Sequence, residues 1–237
     1  IVFYVLLTFL LLSINRIQRS VIKISIIVLT LPLIILYSTL DDNKTLTDGR
    51  LNIMMIDVGQ GDSFLVKFPN GKTALIDAGE ANPYIDNGER VIIPLLDHLG
   101  INKIDYGFIS HLDLDHYGGF VSLIYNKRIN EVYRPLPDSG LKSIRLEKFL
   151  KDMKVKTGIY DKKSFDVGNA KIYFLNDPYN YYYKSFSSNN KSGVLKIVYG
   201  NTSFLFVGDC EHPAENYLAS YFRNMLDSDV LKVGHHG

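Results

Sequence analysis

The 237-residue sequence has little cysteine and almost no net charge. Cys210 is the only cysteine, which excludes an internal disulfide framework and a zinc knuckle built from several cysteines. Any bound metal must therefore be held mainly by histidines and carboxylates. The formal net charge is +1, which argues neither for nor against a polyanionic partner. The sequence also lacks an internal repeat.

Polar residues are rare in the first 40 positions. This stretch is almost wholly apolar, apart from Asn15, Arg16, Gln18, Arg19 and Lys23. As a helix, the run 21–37 would span roughly 25 Å at about 1.5 Å per residue, near the lower limit for crossing a bilayer. Residues 1–14 are typical of the tail of an earlier span. Because positive residues favour the cytoplasmic side, the basic loop between the two runs predicts that the following domain lies outside the cell.

Two other interpretations of the apolar start are a signal peptide and a buried core helix. A signal peptide needs a start Met and a small-residue cleavage site, and the sequence shows neither. A core helix would not need two apolar runs flanking a basic turn. We therefore expect residues 1–40 to be the end of a multi-span membrane region, 41–50 a linker and 51–237 a folded domain. We also expect this domain to be truncated at its C-terminus.

The remainder of the sequence alternates between strand and helix patterns. Apolar runs bounded by turn residues predict strands at 51–56, 63–68, 73–76, 106–110, 170–175, 193–199, 203–207 and 230–233. Helical spacing predicts helices at 90–99, 118–125, 141–153 and 214–224. Asn70-Gly71 suits a type I′ hairpin turn. Because strands occur in hairpins as well as beside helices, the pattern favours a layered α/β sandwich over a purely parallel sheet.

Four potential metal ligands lie within six residues, directly after a predicted buried strand. They are His111, Asp113, Asp115 and His116. A turn at this point can direct several side chains toward one spot, which a continuous strand or helix could not do with this spacing. The alternative is a solvated turn, which often carries one such residue but seldom four.

The same design recurs at two later strands. Asp209 follows the apolar run 204–207, and His235 and His236 follow the run 230–233. A single Asp after a strand is usually a turn residue or a helix cap. If these strands are neighbours, however, their ligand-bearing ends form one cluster. The clustered carboxylates would repel one another unless a cation were bound.

The motifs together resemble the metallo-β-lactamase superfamily. The resemblance rests on the order Asp77-Ala-Gly, His111-x-Asp-x-Asp-His116, Gly208-Asp209 and a late histidine. More narrowly, Asp57-Val-Gly-Gln-Gly-Asp-Ser63, Ser110–Gly119, Asn189–Leu195 and Val233–Gly237 resemble the C-terminal domain of the ComEC family, the membrane channel for DNA uptake in competent bacteria. The resemblance implies a metallo-β-lactamase-like αββα sandwich preceded by transmembrane helices.

The resemblance also implies a metal site and roles for its residues. His111 and Asp113 would face one divalent ion, Asp115 and His116 a second, with Asp209 bridging and His235 as the last ligand. Asp115 would orient or deprotonate a water, and His236 would bind the phosphate or protonate the leaving oxygen. Asp57 and Asp62 would brace the loop under the site, and Asp77 would orient a ligand.

The sequence departs from the superfamily pattern at two places. Asp113 stands where the superfamily usually has His, and Asn189 or Asn190 replaces an intermediate His. Both changes exchange nitrogen ligands for oxygen, which weakens the case for zinc and favours a harder ion such as Mn²⁺. The sequence therefore predicts one or two divalent ions, Mn or Zn.

Two features bear on the substrate. The segment 127–163 carries 11 Lys or Arg against 5 Asp or Glu, which suits a phosphate backbone but also an ordinary solvated surface. Aromatic residues cluster before Asn189 at Tyr179, Tyr181, Tyr182, Tyr183 and Phe186. They could stack single-stranded bases or only pack a loop.

Three functions remain open. By the resemblance, the leading one is a nuclease at the cell membrane that cleaves the non-transported DNA strand, with the rest of the channel and other competence proteins as partners. The others are a small-molecule phosphodiesterase or lactonase, and a non-catalytic module that binds metal or DNA.

Overall fold

A computed structural model describes residues 16–40 and 46–236, with side chains from 20 to 32 and from 46 to 235. The chain divides into one compact unit before Leu46 and another from Leu46 onward. Helix α1, Arg16–Leu40, belongs to the first unit and contains Pro32. It begins five residues before the predicted run, so the expected basic loop is helical from Arg16.

Within the described parts of the chain, no helix combines the length and apolar character needed to cross a membrane. The predicted transmembrane helices are therefore not confirmed, and the earlier span at 1–14 lies outside the described residues.

The second unit contains two mixed sheets. The first has six strands in sequence order: β1 Asn52–Met55, β2 Phe64–Lys67, β3 Thr73–Ile76, β4 Ile104–Phe108, β5 Ile129–Arg134 and β6 Lys156–Ile159. Strands β1 to β3 pair antiparallel, and β3 to β6 pair parallel. The parallel strands are connected through helices α2 Ile93–His98, α3 Leu114–Tyr125 and α4 Leu141–Asp152, as crossover connections require.

The second sheet has five strands. They are β7 Ser164–Val167, β8 Ala170–Phe174, β9 Leu195–Tyr199, β10 Thr202–Phe206 and β11 Val230–Lys232, in the order β11-β10-β9-β8-β7. Only β10 and β11 are parallel, because helix α6, His212–Phe222, makes the crossover between them. A short helix α5, Tyr181–Lys184, lies between β8 and β9.

Alternating side chains on the strands build three apolar layers. Leu65 and Leu75 pack toward the helices α2 to α4, whereas their neighbours Val66 and Ile76 pack against the second sheet. On the outer face of the second sheet, Leu205 packs with α6. This period-2 alternation gives the helix–sheet–sheet–helix order, so the predicted αββα sandwich is confirmed.

Local predictions differ from the structure at one turn and at the start of one helix. The hairpin after β2 closes a three-residue loop, since Phe68 donates to Lys72 at 2.8 Å. Gly71 has a positive φ and Asn70 does not, so the predicted type I′ turn, which needs both, is wrong. Helix α3 begins at Leu114 rather than at Gly118. Its two glycines lie inside the helix because the chain segment after β3 packs directly on them.

Candidate metal centre

The ends of three strands deliver the central side chains. Asp77 follows β3, His111 follows β4, and Asp209 follows β10. Backbone bonds hold the ends together: Asp77 donates to Phe108 at 2.9 Å, and Gly193 donates to Ser110 at 2.7 Å. The second bond joins the two sheets at this edge. The predicted convergence of strand ends is thus present for His111 and Asp209, whereas His235, which was expected to join them, lies against Glu211 instead.

His111, His116 and Asp209 form a buried cluster whose candidate ligand atoms lie within 4.8 Å of one another. His116 Nε2 is 3.2 Å from Asp209 Oδ1, and His111 Nε2 is 3.8 Å from Asp209 Oδ2. The two imidazole rings are 4.2 Å apart between centroids. The carboxylate of Asp209 thus faces both histidines, one with each oxygen.

Asp77 orients both histidines through contacts on the Nδ1 side of their rings. Its Oδ2 lies 2.9 Å from His116 Nδ1 and accepts from Ser110 Oγ at 2.6 Å, while its Oδ1 accepts from Ser110 N at 2.7 Å. Ser110 Oγ in turn lies 3.0 Å from His111 Nδ1. Because Asp77 fixes the hydroxyl as a donor to itself, the network assigns a proton to Nδ1 of each ring. Both Nε2 atoms then point into the cluster.

Burial and neighbouring charge shift the pKa values in opposite directions. Burial, followed by the charge of His116, lowers the pKa of His111. Burial also lowers the pKa of His116, but hydrogen bonds to Asp209 and Asp77 outweigh it and raise this pKa to about 10. For Asp209, burial raises the pKa, yet His116 reduces it to about 2. A neutral His111 and an ionised Asp209 are the forms that bind metal, whereas His116 would lose its Nε2 proton when an ion binds.

These residues fit a divalent ion. His111 Nε2 is buried and has no hydrogen-bond partner among the described residues. Such an atom is costly to bury unless something binds it. The donor set of two imidazoles and one carboxylate suits Zn²⁺ or Mn²⁺. The fold places their partners as a metal site requires, with a carboxylate or hydroxyl behind each ring.

Gly61 allows the loop 56–63 to approach the site. It has φ +100°, and a Cβ there would lie 1.8 Å from the backbone oxygen of Asp115. Asp62, the next residue, is buried with Oδ2 3.8 Å from His116 Nδ1. Only glycine therefore permits this contact between the loop and the first turn of α3.

The other two carboxylates of the 111–116 motif have different surroundings. Asp113 Oδ2 lies 3.5 Å from His111 Nε2, and its Oδ1 accepts from Lys142 at 2.5 Å. Burial raises the pKa of Asp113, but Lys142 and His111 reverse the shift and lower it. Asp115 is partly buried in the first turn of α3 and lies outside the tight cluster.

The residues predicted near β9 and after β11 meet at Glu211. Asn190 Nδ2 donates to Glu211 Oε2 at 2.8 Å, and Asn189 Nδ2 donates to Oε1 at 3.4 Å. Asn190 Oδ1 also accepts from the backbone of Glu211 and Ala214, capping α6. His235 is half exposed, with Nδ1 3.4 Å from Glu211 Oε1. The tight cluster does not include these three predicted site residues.

Two predicted positions need separate mention. Asp57 is exposed and accepts from Gly59 N at 3.1 Å, which forms a local turn in the loop it was expected to brace. The side chain of His236 lies outside the described part of the structure. Its predicted role stays a prediction, as do the assigned roles of the other site residues.

The structure adds residues that the sequence reasoning missed. They are Ser110, which links Asp77 to His111; Lys142, which pairs with Asp113; Glu211, which joins the asparagines to His235; and Lys232, which pairs with Asp62. Lys232 did carry a signal, since it is the one cation in the apolar run 230–233.

Comparison with known proteins agrees with this fold. Residues 56–169 match the model of the metallo-beta-lactamase superfamily. The chain is 32% identical over 203 residues to ComE operon protein 3 of Bacillus subtilis, covering 77% of this chain and 25% of that protein. It is 28% identical over 196 residues to Competence protein ComA of Neisseria gonorrhoeae, covering 82% and 25%. The chain thus spans about a quarter of each relative's length.

A solved metallo-beta-lactamase with a HARLDQ motif from Cronobacter sakazakii shares 16% identity, at a TM-score of 0.48, over 70% of this chain and 62% of that one.

The two sheets, the outer helices and the His/Asp cluster define a domain of the metallo-β-lactamase superfamily, a class that binds divalent metal. Within this class, the chain belongs to the ComEC family of competence proteins. The resemblance seen in the motifs is confirmed.

Proposed function

We propose that the domain is a metal-dependent nuclease that hydrolyses phosphodiester bonds of single-stranded DNA during competence. The observation that carries the proposal is the buried cluster of His111, His116 and Asp209, with both Nε2 atoms directed at Asp209. When bound, a divalent ion lowers the pKa of water and neutralises charge on a phosphoryl oxygen. Asp115 would orient or deprotonate that water, and His235 and His236 would act on the phosphate or complete the ligand set.

A cavity of about 430 Å³ next to the cluster supports a phosphodiester substrate. His111, Lys142, Ser188 and Lys191 line it. The ammonium groups of Lys191 and of Lys142, which also pairs with Asp113, suit phosphate oxygens beside the His111 imidazole. A second groove, between β2 and β11, is larger, but its one lysine, Lys232, is paired with Asp62, which suits a phosphodiester less well.

Helix α4 extends the positive surface away from this cavity. It exposes Lys142, Arg145, Lys148 and Lys151. Part of the positive excess at 127–163 is engaged elsewhere, since Arg128 pairs with Asp97 and Arg134 with Glu147. The exposed groups on α4 remain the path for a phosphate backbone. Tyr181 and Tyr182 on α5 are exposed and could stack bases.

Cleavage of labelled single-stranded DNA by the purified chain tests the proposal. We expect cleavage with Mn²⁺, more than 100-fold slower cleavage in His116→Ala and Asp209→Asn, and unchanged cleavage in Lys67→Met, whose ion pair with Asp48 lies elsewhere on the surface. DNA binding in EDTA, measured by anisotropy, separates binding from chemistry. Hydrolysis of small phosphodiesters or lactones without cleavage of DNA would instead favour a small-molecule hydrolase.

A non-catalytic module is the second candidate function. The specific observation in its favour is that Asp113, at a position where the superfamily has a histidine, is neutralised by Lys142 at 2.5 Å. Binding of metal and DNA without cleavage by Mn²⁺, Mg²⁺ or Zn²⁺ would support this candidate and contradict the nuclease.

The proposal includes a location at the cell membrane with the domain outside. It rests on the apolar run 21–37, the preceding basic residues and the competence relatives. Retention of the full-length protein in membranes after carbonate extraction, with the domain open to protease on intact cells, is the expected result. DNA, the rest of the channel and other competence proteins are its proposed partners.

A further inference from the structure

Strand β11 buries a charge where an edge strand usually buries an apolar side chain. Val230 and Leu231 are 49% and 53% exposed, whereas the side chain of Lys232 is 11% exposed. Burying an ammonium group is unfavourable unless it is paired and hydrogen-bonded. The inverted pattern therefore requires a specific partner for Lys232 inside the fold.

The partners of Lys232 are the carboxylates of the metal centre. Its Nζ pairs with Asp62 Oδ2, lies 3.7 Å from Asp209 Oδ1, and donates to the carbonyl of Gly208 at 3.0 Å. Register holds it in place, since β11 pairs with β10 so that Lys232 is opposite Phe206. The ammonium group thus binds two buried carboxylates from two different sheets.

The two oxygens of Asp209 face different side chains. Oδ2 points to His111, at 3.8 Å, and Oδ1 is shared by His116 Nε2 and Lys232 Nζ. One divalent ion can bind among His111, His116 and Asp209. A second candidate group, formed by Asp62, Asp77 and His116, shares His116 with the first, and its Asp62 is already paired with Lys232. A second ion between Asp62 and Asp209 would need the position that the ammonium group holds, and the two positive charges would repel at that distance.

We propose that the Lys232 ammonium group takes the place of a second metal ion, so that the site holds one divalent ion. Lys232 neutralises Asp62 and one edge of Asp209, and leaves the histidine side of the cluster for the ion. The inference rests on the metal centre of the proposed function but not on nuclease activity, because its test counts ions.

The number of ions bound by the full chain tests the proposal. After equilibrium dialysis against Mn²⁺, we expect one ion per chain in the wild type and a mononuclear Mn²⁺ electron paramagnetic resonance spectrum. Lys232→Met removes the ammonium group from Asp62 and Asp209, so it should bind a second ion and show the spin coupling of a Mn²⁺ pair. Lys232→Arg keeps the charge and should bind one ion. Lys67→Met, which loses an ion pair far from the cluster, should also bind one.

Two results would overturn the proposal. One is two equivalent ions in the wild type, a measurement that holds even if Lys232→Met does not fold. The other is a folded Lys232→Met protein, checked by circular dichroism, that still binds a single ion. A chain that binds one ion but cleaves no DNA would contradict the proposed nuclease and leave the role of Lys232 intact.

Discussion

The carboxylate of Asp77 determines which nitrogen of each histidine can bind metal. It accepts from Ser110 and lies 2.9 Å from His116 Nδ1, so the proton stays on Nδ1 and Nε2 faces Asp209. In Asp77→Asn, an amide N–H replaces one accepting oxygen and favours the opposite tautomer. We expect Mn²⁺ affinity to fall about 10- to 100-fold, as for other residues that hold a metal ligand. Isothermal titration calorimetry measures this change.

The control for Asp77→Asn is Asp57→Asn. Asp57 is exposed and accepts a hydrogen bond from Gly59 in the same loop. The Mn²⁺ affinity of Asp57→Asn should therefore stay within about twofold of the wild type, because this substitution leaves the cluster untouched. Equal losses in both variants would show that Asp77 does not act through the histidines.

Some residues of the site could be predicted from the sequence because they come directly after an apolar strand. Asp77, His111 and Asp209 each follow an apolar run, and the ends of the parallel strands β3 and β4 bring the first two together. Ser110 and Lys232 were missed for a physical reason. A serine before a motif and a lysine in an edge strand are common on surfaces, and their roles depend on contacts with residues far along the chain.

The ion pair between β5 and α4 should contribute to how firmly the strand and the helix are held together. Arg134 is buried, and its guanidinium donates to both oxygens of Glu147 at 2.7 Å and to the carbonyl of Gly158 at 2.7 Å. Glu147→Ala leaves this charge without its carboxylate. Since Glu147 is partly exposed, water can replace part of the interaction, and we expect a loss of about 1–3 kcal/mol.

Chemical denaturation of Glu147→Ala checks this value, with Lys156→Ala as the matched control. Lys156 on β6 pairs with Glu131 on the neighbouring strand β5, but the Lys156 side chain is 75% exposed. Its removal should therefore lower the free energy of unfolding by less than about 0.5 kcal/mol. Similar unfolding free energies for both variants would contradict a special role of the bidentate pair.

The same region shows why some elements escaped prediction. Strands β5, β6 and β7 were not expected, because residues 129–134 and 156–167 have neither a continuous apolar run nor a strict apolar/polar alternation. Their polar residues are accommodated through long-range contacts such as Arg134 with Glu147. By contrast, β4 and α3 were predicted, because an apolar run followed by potential ligands and two glycines is typical of a strand, a turn and a helix.

At the scale of the molecule, the layered architecture was predictable because hairpins and helices alternate along the sequence. The contact between the sheets at the site was not, because it depends on Gly193 donating to Ser110 across 83 positions. This junction connects metal binding to the stability of the whole domain. Asp62, Asp77 and Asp209 are all buried there, and their charges oppose folding unless cations bind them.

Metal removal should therefore lower the thermal stability of the entire domain. At 100 times its dissociation constant, an ion that binds only the folded state adds about 2.7 kcal/mol. For a domain of this size, that corresponds to a rise in Tm of about 5–10 °C. Scanning calorimetry with Mn²⁺ and with EDTA measures the difference. In the double variant His116→Ala/Asp209→Asn, two of the three clustered ligands are lost, so Mn²⁺ should leave Tm unchanged. A rise there equal to that of the wild type would place the stabilising ion elsewhere on the protein.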